Sequence, residues 1–280
     1  MTILVIGASG QIGRFLLPRL HARGESVVAF SRTEQPPSEG VQWLRGQVPD
    51  SPMPGGRFSA IICMGPLVGF DDWLSRVELH DRPRVIAISS MSAQTKLDSE
   101  LKSERELAQS MRDSEAKLAR ICERHGCPWM VLRPTMIYGI GMDKTLTPIA
   151  RRAMRARVFP VLQGNGLRQP VHADDIAQAV VAALDHREVS GYVLPIGGGE
   201  RLSVREMFMR VRRSLPGWTL PVPVPLRLLR VLRYFMHHVR GTLSRFQTDL
   251  IADNGELERR LGVKPRPFRP DPSCWGYGKW

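Results

Sequence analysis

Thr2-Ile3-Leu4-Val5-Ile6 runs straight into Gly7-Ala8-Ser9-Gly10-Gln11-Ile12-Gly13 and then into the periodic segment 14–20, and this passage decides the fold. It reads as strand, glycine turn, helix. Gly7 suits the tight turn off the strand, Gly10 lets backbone approach a pyrophosphate, and Gly13 lets helix and strand pack closely. The anion would rest on the helix N-terminus, where unpaired N–H groups and the helix dipole favour negative charge. Gly7, Ser9, Gly10, Gln11, Ile12 and Gly13 are therefore the first cofactor-binding candidates. The plain alternative is a structural turn that holds no nucleotide.

Working outward, apolar runs and helical patterns alternate. Residues 26–32 form a second strand and 41–44 a third. Residues 59–66 form a fourth, ending in the small-residue turn Met64-Gly65-Pro66, which permits close approach of a ligand. Residues 84–90 form a fifth strand ending in Ser89 and Ser90, and 128–134 a sixth ending in Arg133-Pro134. Such alternation predicts an α/β protein, a Rossmann-type doubly wound parallel sheet. Ligands of these sheets gather at strand carboxyl ends, which makes Met64, Gly65, Pro66, Ser89, Ser90, Arg133 and Pro134 candidates.

The end of the second strand speaks to the cofactor. An acid there would bind the adenosine ribose hydroxyls, whereas an arginine accommodates the extra phosphate of NADP. The sequence has Ser31 and Arg32, with Glu34 the nearest acid. A guanidinium suits bidentate phosphate contact, so NADP is preferred over NAD.

Composition narrows the setting. In 280 residues, 42% hydrophobic, there is ample material for a core. No apolar run reaches about eighteen residues and the chain enters the glycine turn at once, so neither signal peptide nor membrane span is expected, and the expectation is cytoplasmic. Cys63, Cys122, Cys127 and Cys274 lack metal-ligand spacing and read as reduced structural thiols; no metal site is expected. The net charge of +13 fits a small anionic substrate or an anionic surface. Nucleic acid is set aside because no recognition motif accompanies the charge. Apolar and basic residues alternate in the stretch from Arg227 to Arg240, read either as a packed helix with a solvated basic face or as weak peripheral contact with an anionic bilayer.

Four ordered motifs carry a resemblance: the glycine passage; Ile88-Ser89-Ser90; Leu132-Arg133-Pro134-Thr135-Met136-Ile137-Tyr138-Gly139; and Pro170-Val171-His172-Ala173-Asp174-Asp175-Ile176-Ala177. Together they resemble the extended short-chain dehydrogenase/reductases, and more narrowly the NAD-dependent epimerase/dehydratase group acting on nucleotide sugars. Leu261-Gly262-Val263-Lys264-Pro265-Arg266-Pro267-Phe268 fits it too. The resemblance implies a Rossmann domain, 1–196, with 139–170 contributing to a smaller C-terminal substrate lobe, 197–280. It also implies a serine at the fifth strand end, matched by Ser90, plus Tyr-x-x-x-Lys on the next helix.

That tyrosine is missing. The four tyrosines are Tyr138, Tyr192, Tyr234 and Tyr277. The nearest spacing match sets Asp113 and Lys117 in the two places, and an earlier register sets Leu107 and Met111 there. The pattern is similar to the atypical branch of the superfamily, whose members include enzymes of other design and proteins that only bind the nucleotide. Tyr138 and Lys117 are the proton-donor candidates, with a packing tyrosine and a surface ion pair as the plain readings. Asp143 and Lys144 are an ionisable pair in the same region. Arg168, before the Val-His motif, suits a diphosphate or carboxylate of the substrate, or a salt bridge to Asp174 or Asp175. Asp174 and Asp175 are expected to cap the following helix, 197–199 to act as a glycine hinge, and the prolines of 221–225 to stop regular structure. The function expected is an NAD(P)-binding oxidoreductase or epimerase on a small carbonyl or hydroxyl compound; the alternative is a catalytically silent dinucleotide sensor or scaffold.

Overall fold

The computed structural model describes residues 1–164, 166–225 and 248–278, the side chain of Pro225 excepted. The expected basic stretch from Arg227 to Arg240 lies outside the described residues. Seven strands form one sheet: β1 (Thr2–Ile6), β2 (Ser26–Ser31), β3 (Val41–Arg45), β4 (Ala60–Cys63), β5 (Arg84–Ile88), β6 (Trp129–Pro134) and β11 (Tyr192–Ile196). Their spatial order is β11-β6-β5-β4-β1-β2-β3, and every neighbouring pair is parallel. The chain moves outward from β1 to β3, returns to the other side of β1, and moves outward again. The reversal falls between β1 and β4, where open parallel sheets have their ligand crevice.

Strands β1, β4 and β5 are near-continuous apolar runs because helices cover both faces. On one face α1 (Gln11–Ala22) presents Ile12, Leu16 and Leu20, one helical turn apart, against α6 (Ala173–Asp185). On the other, α2 (Leu67–Leu74) and α4 (Lys102–His125) bury Phe70, Trp73, Leu118, Ile121 and Cys122. Gly126 ends α4 in the left-handed conformation, φ 64°.

A third core lies beyond the sheet. Tyr138, Phe159, Phe208, Phe268 and Trp275 meet there, brought by β7 (Ile137–Tyr138), β8 (Val158–Gln163), α7 (Val204–Arg213) and the short 3-10 turn Pro272–Trp275. The intervening α5 (Leu146–Ala156) covers it with Leu146, Ala150 and Ala153. The segment after residue 197 feeds both regions, since Leu257 and Leu261 of α8 (Gly255–Leu261) pack with the α1–α6 face.

Three local expectations are corrected. Residues 220–225 do not stop regular structure: Leu220–Pro225 is strand β12, parallel to β8. Prolines at 221, 223 and 225 alternate with donors, and a two-stranded sheet needs donors on one side only. The glycines 197–199 are a close crossing rather than a hinge. A Cβ on Gly198 would overlap the Pro170 carbonyl and one on Gly199 that of Pro265, while Asn254 donates to the carbonyls of Gly197 and Gly198. The cap of α6 is His172, whose Nδ1 accepts from the Asp174 N–H at 3.1 Å. Asp174 and Asp175 lie in the first turn instead, where Arg19 and Arg266 bind Asp174 and Arg266 binds Asp175.

Candidate active site

The glycine passage lands at the crevice. Gly7, at φ 81°, follows β1 and lies so close to the turn after β4 that a Cβ would be 2.8 Å from the Gly65 N and 2.9 Å from the Met64 carbonyl carbon. Gly10 opens α1 in extended conformation, with no side-chain cap and no acid in the first turn. The leading N–H groups of α1 are thus left for an anion. Gln11 Oε1 and Ser89 Oγ are buried without a hydrogen-bond partner among the described residues. A glycine cradle, an uncapped helix start and orphaned polar atoms fit a dinucleotide.

At the end of β2 the Ser31 hydroxyl is committed to its own loop, donating to the Thr33 carbonyl at 2.6 Å and accepting from Gln35. Arg32 is exposed beside it. Met64 and Gly65 are half-buried opposite Gly7, and Pro66 starts α2. Arg133 and Pro134 end β6. Pro134 is buried, and Arg133 binds both carboxylate oxygens of Glu115 on α4, with Nε–Oε1 at 2.9 Å. Arg133 is therefore tied into an α4–β6 ion pair.

A cavity of about 980 Å³ opens from the cradle toward the third core. Gln11, Ser90, Thr135, Arg168, Lys96 and Glu104 share its wall. Ser90 Oγ accepts from the Ser92 N–H at 3.1 Å, which sets its hydroxyl at the start of α3 (Ser92–Thr95). Arg168, on β9 (Leu167–Arg168), is 2% exposed and donates to the carbonyls of Leu167 and Thr248 at 2.6 and 2.7 Å. Burial lowers its pKa to about 10 against the pull of Asp249, so it remains a cation at neutral pH. The alternative partners Asp174 and Asp175 are taken by Arg19 and Arg266.

Neither expected proton donor borders this cavity. Tyr138 is 1% exposed, edge-on to His172 and Phe268 with ring centres 5.0 and 4.8 Å away, and burial pushes its phenol well above the usual range. Pairing of β7 with β10 (Val171–His172) turns the ring into the third core. Lys117 lies at the α2–α4 seam, bonded to Asp72. The Leu107 and Met111 register offers no polar group, and Leu107 is 43% exposed. Asp143 borders the cavity but spends Oδ1 on the N–H groups of Thr145, Leu146 and Thr147, as a helix-opening acceptor does.

Lys96, Ser99, Glu104 and Thr135 were not visible as site residues in the sequence. Glu104 carried only the signal of an acid in a first helical turn. Its place in the cavity depends on how α3 folds back on α4.

A family model of the NAD dependent epimerase/dehydratase family matches residues 3–52 and 81–197, more than half of the chain. The chain belongs to this family. A UDP-glucose 4-epimerase from Vibrio cholerae is 24% identical over 120 residues, which is 41% of this chain and only 36% of that relative's length. Among solved structures, MoeE5 in complex with UDP-glucuronic acid and NAD superposes with a TM-score of 0.73 at 17% identity, covering 98% of this chain and 97% of that one. UDP-glucuronic acid 4-epimerase from Bacillus cereus in complex with NAD gives 0.71 at 15%, covering 99% and 97%. Likeness at such identities shows the shared Rossmann-type fold. Among the described residues, no helix is long and apolar enough to cross a membrane, and no cluster of potential metal ligands occurs.

Proposed function

We propose that the protein is an NAD(P)-dependent oxidoreductase or epimerase acting on a hydroxyl or carbonyl group of a nucleotide-linked sugar. One observation carries this reading: a single cavity joins Gln11 of the glycine cradle, Ser90 and the buried cation Arg168. Ser90 orients the reacting substrate oxygen, and Arg168 binds the anionic part of the substrate, a guanidinium being suited to a diphosphate. The cradle residues Gly7, Ser9, Gly10, Gln11, Ile12 and Gly13 hold the dinucleotide phosphates, with Met64, Gly65 and Pro66 opposite. When bound, the dinucleotide supplies a two-electron acceptor or donor. Both solved neighbours named above hold NAD and MoeE5 also holds UDP-glucuronic acid, which supports the substrate class.

The finer reading is a preference for NADP. It rests on Arg32, exposed at the end of β2 where no acid stands. Titration calorimetry with both dinucleotides tests it: Arg32→Ala is expected to weaken NADP about tenfold, roughly 1.4 kcal/mol, and to leave NAD unchanged. Equal loss for both, or tighter NAD binding by the unaltered protein, refutes the preference.

A second reading, a nucleotide-binding sensor or scaffold without catalysis, is favoured by the place of Tyr138 and Lys117 outside the cavity. Incubation with UDP-glucose and UDP-glucuronic acid and either dinucleotide separates the two. Conversion of a UDP-sugar supports the enzyme; dinucleotide binding without conversion of either sugar supports the sensor.

A further inference from the structure

The cavity holds a carboxylate that the preceding reading leaves without a role. Glu104, in the first turn of α4, is 6% exposed and borders the cavity together with Ser90. Lys96 Nζ is 3.2 Å from its Oε1, and the Ser99 hydroxyl donates to its Oε2 at 2.8 Å. Ser99 is itself held, accepting from the Leu101 N–H at 3.2 Å. Both carboxylate oxygens are thus oriented by side chains. Lys96 and Ser99 both sit on the eleven-residue passage between Ser90 and α4.

The other ionisable groups on the cavity wall are engaged or solvated. Asp143 caps α5, Asp98, Glu100, Lys144 and Asp249 are exposed, and Arg168 stays charged at neutral pH. From this geometry we infer that Glu104, oriented by Lys96 and Ser99, is the acid–base group that takes and returns the substrate hydroxyl proton in place of the missing tyrosine. The assignment rests on the oxidoreductase or epimerase reading above.

The step balances. As the substrate carbinol is oxidised to a carbonyl, its O–H proton passes to the Glu104 carboxylate, and the electron pair of its C–H bond leaves with that hydrogen for the dinucleotide, which is reduced by two electrons. Glu104 is then a neutral acid beside the Lys96 ammonium. Reduction of the carbonyl reverses the transfer, and Glu104 returns the proton to the oxygen. Ser90 holds that oxygen throughout.

A structural brace is the competing explanation, with Glu104 merely tying the passage 96–101 to α4. Glu104→Gln keeps the shape and the Ser99 contact but cannot accept the proton. The expected result is a loss of kcat of about 100-fold or more on the converted UDP-sugar. Dinucleotide Kd stays unchanged, and any fall in melting temperature is matched by Lys96→Met, which breaks the same ion pair. The acid limb of the pH–rate profile disappears. Added formate restores part of the activity of Glu104→Ala and none of that of Glu104→Gln. Lys96→Met, by removing the cation, moves the acid limb to higher pH. A readout free of turnover accompanies these: calorimetric titration of UDP-glucose across the acid range shows one linked proton in the unaltered protein and none in Glu104→Gln. Glu106→Gln, an exposed pair with Lys102 on the same helix, serves as control and behaves as the parent.

Glu104→Gln activity within threefold of the parent, or unchanged proton linkage, overturns the assignment while leaving the parent reading intact. Failure of the unaltered protein to bind any UDP-sugar overturns both.

Discussion

Gly13→Ala is the most discriminating perturbation of the cradle, because two general rules predict opposite outcomes. Gly13 is the third residue of α1, and in an ordinary helix alanine there gains about 1 kcal/mol over glycine. In this structure the added Cβ would fall 2.7 Å from the Ala8 Cα and 2.5 Å from its carbonyl carbon, and still nearer the oxygen. These are backbone atoms of a fully buried residue, so no side chain can rotate away. Relief requires α1 to lift from the turn, and overpacking of this kind costs about 1–3 kcal/mol. The balance is a net loss of up to about 2 kcal/mol, or a few degrees of melting temperature at this chain length. Ligand binding is the more sensitive readout. Phosphate contacts from helix-terminal N–H groups are charge-assisted bonds of about 1.5–3 kcal/mol each, so displacing even one weakens the dinucleotide roughly ten- to a hundredfold. Thermal melts and calorimetry of Gly13→Ala should be run beside Gly55→Ala, where nothing lies within 4 Å of the added carbon. Gly13→Ala melting at or above the parent, with unchanged Kd for both dinucleotides, would refute the close-packing account.

Two further outcomes follow from buried charge. Glu115 is 4% exposed and neutralises Arg133, so Glu115→Gln strands a guanidinium against the sheet at a cost on the order of 3 kcal/mol. Urea denaturation checks this, and a loss below about 1 kcal/mol would show the pair to be solvated. His172 is kept neutral, its pKa lowered to about 4 by burial and then by Arg266, with Asp174 and Asp271 opposing. The unfolded chain, with a histidine pKa near 6.5, then binds more protons between these values, so the contribution is complete above about pH 6.5 and is lost as pH falls toward 4. Up to about 3 kcal/mol is involved. His172→Asn keeps an N-cap acceptor and should flatten that part of the stability curve; parallel curves for the two proteins in urea midpoints taken over this range would refute the burial argument.

The sheet was legible because its physics is local. Residues 2–6, 60–63 and 84–88 are apolar runs that only a doubly covered parallel strand accommodates, and Gly7, Gly10 and Gly13 have spacings that answer to one turn and one helix start. Strand β12 was illegible for the same reason. Alternating prolines look like a breaker unless it is known that a single partner, β8, takes donors from one side alone. His172 hid as a cap because the adjacent aspartates are better cap formers, yet Arg266, from nearly a hundred residues away, claims both carboxylates.

The chemistry was hidden by a different mechanism. Lys117 was singled out by the Tyr-x-x-x-Lys spacing and Tyr138 by its place just after the sixth strand, but a helix selects residues by phase and a short strand by its partner. On α4 the inward phase runs through Glu104, Ala108, Glu115 and Leu118, so Lys117 points to Asp72 at the seam with α2. On β7 the pairing with β10 sends Tyr138 into an aromatic core. Glu104 combines the inward phase with a position in the first turn of α4, and it borders the same cavity as Ser90. A chain with no tyrosine before Tyr138 thus still turns one carboxylate of α4 to the cavity that Ser90 borders. The passage 96–101, which holds Lys96 and Ser99, is what fixes that carboxylate in place.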